Sequence, residues 1–299
     1  MLSRPIRKVA VIGAGLMGAG IGQVAALGGF HVSIVDSDEG ALEGGGIRVV
    51  ESLARLVRSG KLPQECADAA QGRLSYGLST EAAVCDADMV IEAIVEALAP
   101  KQALFETLGN LCAPDTILAT NTSQFSIGLV AERCANPERT VGMHFSNPPP
   151  LMSLVEVILS DRTSEHACAT VLQFLADCGK AAVICRKDVP GFISNRLSIA
   201  LFMEAVRLVE EGVAEPREID DVARLMFGHR MGPIATLDLA GLDTALRTAS
   251  ALSEHYGGDR FAPPRLLAEM VATGSLGRKS GAGFYEYRND PEPERAPRR

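Results

Sequence analysis

The feature that most constrains this chain is Lys8-Val-Ala-Val-Ile-Gly-Ala-Gly-Leu-Met-Gly-Ala-Gly20. A short apolar run, Val9 to Ile12, opens into Gly13-x-Gly15-x-x-Gly18. An alanine- and glycine-rich helical pattern follows, and a second apolar run, Val32 to Val35, ends in Asp36. Strand, glycine turn, helix, strand and acid within about thirty residues is the order of a dinucleotide-binding βαβ unit. Gly13 turns the chain off its strand, Gly15 lets backbone N–H groups approach a pyrophosphate, and Gly18 lets the helix lie close on the sheet. The helix N-terminus favours the anionic phosphates. Asp36, 23 residues beyond Gly13, is placed to accept hydrogen bonds from ribose hydroxyls and to repel a 2′-phosphate. The pattern predicts NAD rather than NADP.

Val9 to Phe30 carries no charge and follows Arg4, Arg7 and Lys8, a layout shared with signal peptides and membrane spans. Seven glycines in those 22 residues weaken its drive to insert, and cleavage would remove the fingerprint. At 299 residues with 47% apolar content, the chain suggests two domains with ample cores. A net charge of −8 carries no nucleic-acid footprint, and no second hydrophobic span predicts a membrane contact. Cysteines 66, 85, 112, 134, 168, 178 and 185 show no CxxC and no metal-ligand spacing. Their odd number fits reduced, packed thiols in a cytoplasm. Residues 289–299, polar and rich in Pro and Arg, are expected to be a disordered tail.

After Asp36 the pattern is helical, with an interruption expected at Gly44-Gly-Gly46. Arg48, Arg55, Arg58 and Lys61 form its basic face, read as solvated or as a grip for a phosphate-bearing substrate tail. Strands are predicted at 88–96, 116–120, 140–145, 154–158 and 182–185, with helices over 100–111 and 164–178. Asn121-Thr-Ser123 falls at the end of a strand, where ligands bind in doubly wound sheets. Beyond Lys187-Asp-Val-Pro-Gly191 the βα alternation gives way to helices, over 192–211 and around 217–227, 233–254 and 263–273. The expected architecture is α/β: a Rossmann-like doubly wound sheet over 1–188, then a smaller all-α C-terminal domain over 189–288.

Of five histidines, only His144 lies on a strand opposite a second strand bearing a carboxylate, Glu156. A His–Glu pair there would fix the imidazole tautomer and orient it as a general base for an alcohol proton. Alone, such a histidine is more often structural, and Ser123 and Asn195 are unremarkable by themselves.

From Lys8 to Tyr287 the chain resembles the L-3-hydroxyacyl-CoA dehydrogenase family, which includes the 3-hydroxybutyryl-CoA dehydrogenases. The stretches that carry the resemblance are VAVIGAGLMGAGI, ADMVIEAIVE, TNTS, GMHFSNP, LVEVI, DVPGFISNRL, EAVRLVEEGVA, GHRMGP and LGRKSGAGFYEY, in that order. The resemblance implies His144 as catalytic base, Glu156 as its orienting partner, and Ser123 and Asn195 as groups that position the reacting oxygen. It implies cofactor contacts at Asp36, Glu96, Lys101, Ser123, Asn147 and Lys279, beside Gly13, Gly15 and Gly18. No metal is required. In this chemistry the 3-hydroxyl proton passes to His144 as hydride leaves C3 for the nicotinamide. Asn195 comes from the second domain, so the site is expected in an interdomain cleft.

Ser146, Pro149-Pro150 and Gln124-Phe125 depart from the family's usual residues near the reacting centre. They leave the reaction class intact and open the question of the acyl carrier. The alternatives are a 3-hydroxyacyl thioester on acyl carrier protein, a free 3-hydroxy or sugar acid such as gulonate, and a non-catalytic, crystallin-like NAD-binding protein. Apolar positions Leu197, Leu201, Leu208 and Val209 lead to the expectation of a homodimer through the helical domain.

Overall fold

Val9, Ala10, Val11 and Ile12 are all buried, which places β1 (Lys8–Ile12) inside a sheet covered on both faces. Val9 and Val11 feed one hydrophobic layer, Ala10 and Ile12 the other. A computed structural model describes residues 6–287, so the tail expected over 289–299 lies outside the described residues. The further strands are β2 (His31–Val35), β3 (Leu74–Gly77), β4 (Met89–Glu92), β5 (Ile117–Thr120), β6 (Thr140–Phe145), β7 (Leu154–Ile158) and β8 (Ala181–Cys185). Their order is β3-β2-β1-β4-β5-β6-β7-β8. Neighbours pair in parallel except β6 and β7, which are antiparallel.

The helices of this first unit are α1 (Leu16–Leu27), α2 (Glu39–Arg58), α3 (Gln64–Gln71), α4 (Thr80–Val84), α5 (Leu98–Leu111), α6 (Ile127–Val130) and α7 (Glu165–Asp177). The uncharged stretch from Val9 to Phe30 is β1, the glycine turn and α1, whose residues Gly18 to Ala26 are buried in a run. No helix of the described residues is long and apolar enough to cross a membrane.

Three local expectations change. β3 has no counterpart in the sequence reading, because Leu74-Ser-Tyr-Gly77 is a partly exposed edge strand without an alternating apolar pattern. β4 ends at Glu92 rather than at residue 96: the Glu92 carboxylate turns back to accept from Ile94 N at 2.8 Å. Helix α2, capped by the Asp38 carboxylate on Ala41 N, runs unbroken through Gly44-Gly-Gly46. Its buried stripe of Leu42, Val49 and Leu53 holds it. Gly45 has a packing reason, since a Cβ there would lie 2.8 Å from Ala14 O.

The chain divides into two compact units after Phe192. The second unit contains α8 (Ser194–Glu210), α9 (Pro216–Asp221) prolonged by a π turn (Val222–Met226), α10 (Pro233–Ala240), α11 (Leu242–Tyr256) and α12 (Arg265–Ala272). The helix expected over 233–254 is thus two helices. Gly241 adopts φ +96° and ψ 123°, which leaves the helical region and redirects the chain.

Two buried carboxylates organise this unit. Asp220 accepts from Ile234 N and Ala235 N at the start of α10, and from the Tyr285 hydroxyl at 2.8 Å. Asp238 accepts from Phe284 N, Tyr285 N and the Tyr287 hydroxyl. Burial pushes the Asp238 carboxyl above the usual range despite these donors. A Cβ at Gly232 would lie 2.2 Å from Asp220 Oδ1, one at Gly283 2.1 Å from Asp238 Oδ1, and one at Gly277 2.3 Å from Asp238 O. The GAGFYEY stretch is therefore a strap seated on two acids. Replacing Tyr285 by Phe removes one donor from buried Asp220. It is expected to lower stability by about 1–3 kcal/mol, read as a lower urea midpoint at constant slope. An unchanged midpoint would contradict this role of the strap.

Candidate active site

Gly13, Ala14 and Gly15 leave β1 at the carboxyl edge of the sheet, where a doubly wound fold collects ligands. Gly13, at φ +106°, presses on the loop after β4: a Cβ there would lie 2.5 Å from Ala93 O. Gly18 packs against the turn itself, with a Cβ position 1.8 Å from Gly13 O. Gly15 differs, because it is exposed and a Cβ there meets nothing within 4 Å. Helix α1 has no side-chain cap and no acid in its first turn, so its N-terminal N–H groups stay available to an anion. Asp36 follows β2 and accepts from Ala14 N at 2.8 Å and Asp38 N at 3.1 Å. An open glycine, an uncapped helix start and a carboxylate beside them fit a dinucleotide.

The ends of β4 and β5 are joined by a buried cation. Lys101 on α5, with its side chain 1% exposed, donates Nζ to Glu92 Oε1 at 2.6 Å and lies 3.1 Å from Glu96 Oε2. Glu92 also accepts from Thr120 Oγ1 at 2.6 Å. Glu96 Oε1 accepts from Thr122 Oγ1, Ser123 N and Gln124 N at 2.6, 2.8 and 3.1 Å, and the Ser123 hydroxyl lies 3.4 Å away. Burial pushes the Glu96 carboxyl up, but the Thr122 hydroxyl, the Lys101 charge and the Ser123 amide outweigh it and hold it below its ordinary value. Asn121 passes the order on to β6, its Oδ1 accepting from Phe145 N at 2.9 Å.

His144 and Glu156 face each other in the antiparallel register of β6 and β7. His144 Nδ1 lies 2.8 Å from Glu156 Oε2, with the two side chains 12% and 4% exposed. The buried ring of Phe192 stands 5.7 Å from the imidazole, centroid to centroid. Asn147 is exposed and precedes a cis peptide bond to Pro148. Lys180, whose pKa is lowered by burial, donates Nζ to Pro149 O and Met152 O and so ties down the loop after Asn147.

The fold brings Gly13, Gly15, Gly18 and Asp36 together at one turn, Glu96, Lys101 and Ser123 at a second, and His144 and Glu156 at a third. Asn195 and Lys279 belong to the second unit. Asn195 stands in the first turn of α8, its carbonyl accepting from Ser198 Oγ. Lys279 is paired with Asp243, whose carboxyl that hydrogen bond holds below the usual range. Glu92, Lys180 and Phe192 were missed in sequence, whereas Thr122 falls in the stretch placed at the strand end. Glu92 was hidden inside an apolar run, and the other two gain their positions through long-range contacts.

The pattern of the 3-hydroxyacyl-CoA dehydrogenase NAD-binding domain matches residues 8–189, and that of the 3-hydroxyacyl-CoA dehydrogenase C-terminal domain matches residues 191–287. The chain belongs to the 3-hydroxyacyl-CoA dehydrogenase family. It is an NAD-dependent oxidoreductase. A probable 3-hydroxybutyryl-CoA dehydrogenase of Bacillus subtilis is 43% identical over 282 residues, 94% of this chain and 98% of that protein. The mitochondrial hydroxyacyl-coenzyme A dehydrogenase of Rattus norvegicus is 39% identical, covering 95% and 92%. The crystal structure of (S)-3-hydroxybutyryl-CoA dehydrogenase PaaH1 from Ralstonia eutropha superposes with a TM-score of 0.90 at 37% identity, covering 95% of this chain and 100% of that one.

In this dehydrogenase the two glycines should separate stability from binding. Gly18→Ala places its Cβ against the Gly13 carbonyl and is expected to cost about 2 kcal/mol or more. Gly15→Ala should change stability by less than about 1 kcal/mol while weakening NADH severalfold. Melting curves with and without NADH read both, and equal melting shifts for the two variants would contradict the assignment.

Proposed function

We propose that this protein interconverts an L-3-hydroxyacyl-CoA of the 3-hydroxybutyryl type and the corresponding 3-ketoacyl-CoA, using NAD. The observation that carries the reading is the 2.8 Å contact between His144 Nδ1 and Glu156 Oε2, in a chain matched by both domains of the family. The CoA-thioester names of the relatives above favour this branch over a carrier-protein thioester or a free sugar acid.

Bound NAD supplies the acceptor for the hydride that leaves C3. The chain's own part follows from its geometry. An ionised carboxylate only accepts, so Glu156 draws the imidazole proton to Nδ1 and leaves the Nε2 lone pair for the substrate hydroxyl. His144 then takes the hydroxyl proton as the carbonyl forms, and returns it in the reverse direction. Glu156 stabilises the imidazolium that results, and Phe192 keeps water from one side of the ring. The Ser123 hydroxyl is read as orienting the reacting oxygen, and Asn195, on the second unit, is read as a substrate-positioning residue. Lys101 acts at one remove, by fixing Glu96 and through it the turn that carries Ser123. Asp36, Asn147 and Lys279 are read as further cofactor contacts.

The test is NADH oxidation with acetoacetyl-CoA, free acetoacetate and a carrier-bound ketoacyl group in parallel. Turnover with the CoA thioester above the other two is expected, and turnover with only the free acid would overturn the reading. His144→Ala should lower kcat by about a hundredfold or more with NADH affinity nearly unchanged; a near-normal rate would remove the base role.

We also read the protein as a homodimer acting in the cytoplasm. Its seven cysteines, all free, support a reducing compartment. Leu201, Leu208, Val222 and Phe227 line an apolar groove of the second unit, and Leu197, Leu225 and Met226 are exposed. Leu225→Asp combined with Met226→Asp is expected to yield a monomer by light scattering, and an unchanged dimer mass would exclude this face.

A further inference from the structure

Arg48 stands apart from the basic face to which its sequence position assigns it. Arg55 on the same helix is exposed beside Glu51, whereas Arg48 turns inward and donates Nη2 to Ala14 O at 2.8 Å. Ala14 is the residue whose N–H donates to Asp36. A carboxylate from the end of β2 and a guanidinium from α2 therefore converge on the middle residue of the glycine turn.

Two glycines make the convergence possible. The bare backbone of Gly45 lets α2 approach Ala14, where a Cβ would lie 2.8 Å from the carbonyl oxygen. Gly44 leaves room for the folded guanidinium, since a Cβ there would stand 3.2 Å from Arg48 Nη1. A guanidinium has five N–H donors, and the bond to Ala14 O is the one side-chain hydrogen bond of Arg48 among the described residues, with no ion pair and with its Nε unpartnered. Most of its donor capacity is held at the turn without an anionic partner.

We infer that Arg48 is a specificity residue: it is placed to bind a phosphoryl group on the ribose 2′ position, and rejection of NADPH rests on the Asp36 carboxylate alone. The inference rests on the reading of Asp36 as the group facing the ribose. With Asp36 present, a 2′-phosphate meets a negative charge and loses the ribose hydroxyl that the carboxylate would bind. With Asp36 removed, the same phosphate meets a planar cation suited to two parallel hydrogen bonds.

The experiment is calorimetric binding of NADH and NADPH, without substrate, to the full chain and to Asp36→Ala, Arg48→Met and the double variant. Asp36→Ala should weaken NADH and tighten NADPH by about tenfold or more, equivalent to about 1.4 kcal/mol. Adding Arg48→Met should reverse most of the NADPH gain and spare NADH, while Asp36→Ala with Arg48→Lys should keep part of it. A double variant that binds NADPH as tightly as Asp36→Ala overturns the inference. So does an Arg48→Met that weakens both dinucleotides alike, which would mark Arg48 as a mere clamp on the turn. Loss of NADH affinity in Asp36→Ala without NADPH gain overturns the role of Arg48 and leaves that of Asp36. No change with either ligand overturns both. Melting of each variant without ligand verifies the fold, and Arg48→Gln replaces Arg48→Met if that variant does not melt cooperatively.

Discussion

A single ammonium group sets the geometry of the sheet's carboxyl edge at β4 and β5. Lys101 is taken almost wholly out of water, and such a charge persists only where carboxylates meet it. Glu92 does so from the end of β4, and Glu96 from the loop that follows it. Because Glu92 also receives the Thr120 hydroxyl, and Glu96 the Thr122 hydroxyl and the amides of Ser123 and Gln124, the cation indirectly fixes the end of β5. Asn121 carries that order to the backbone beside His144. The residues just beyond β4 and β5 are thus held by side-chain bonds to a buried charge rather than by a strand ladder.

The second unit uses the same device with the opposite sign. Asp220 and Asp238, buried and surrounded by backbone N–H groups and tyrosine hydroxyls, anchor the chain's last described segment onto α9 and α10. Gly277 and Gly283 answer to close approach, since a Cβ at either would run into Asp238, whereas Gly281 answers to its positive φ of +78°. This accounts physically for a stretch that in the sequence is only a family resemblance. Lys279 lies two residues before the strap, where its ammonium group pairs with Asp243.

The βαβ unit was legible because its information is local. Apolar runs, glycines at fixed intervals and an acid at the right distance need no partner outside about thirty residues. The pairing of His144 with Glu156 was legible for a related reason: two strands joined by a short proline turn have few registers to choose from. Where the reading failed, an energy from elsewhere prevailed. The three glycines of α2 lower helix propensity, yet the buried stripe of Leu42, Val49 and Leu53 outweighs them. Gly241 broke a helix that apolar periodicity had made continuous. β3 gave no pattern at all, since an edge strand with little burial has no apolar face to display.

By itself the sequence determined the cofactor and the succession of a parallel sheet by helices, which follow from residue type and spacing along neighbouring stretches, and it pointed to the reaction class through resemblance to a known family. Tertiary structure alone decided which charges meet. That Arg48 turns to the glycine turn while Arg55 faces solvent, that Lys101 lies between two glutamates, and that Asp220 caps a helix 14 residues away are outcomes of packing. The physical reason is that a buried charge takes its partner from whatever the folded chain brings within about 3 Å, and spacing in sequence does not specify that.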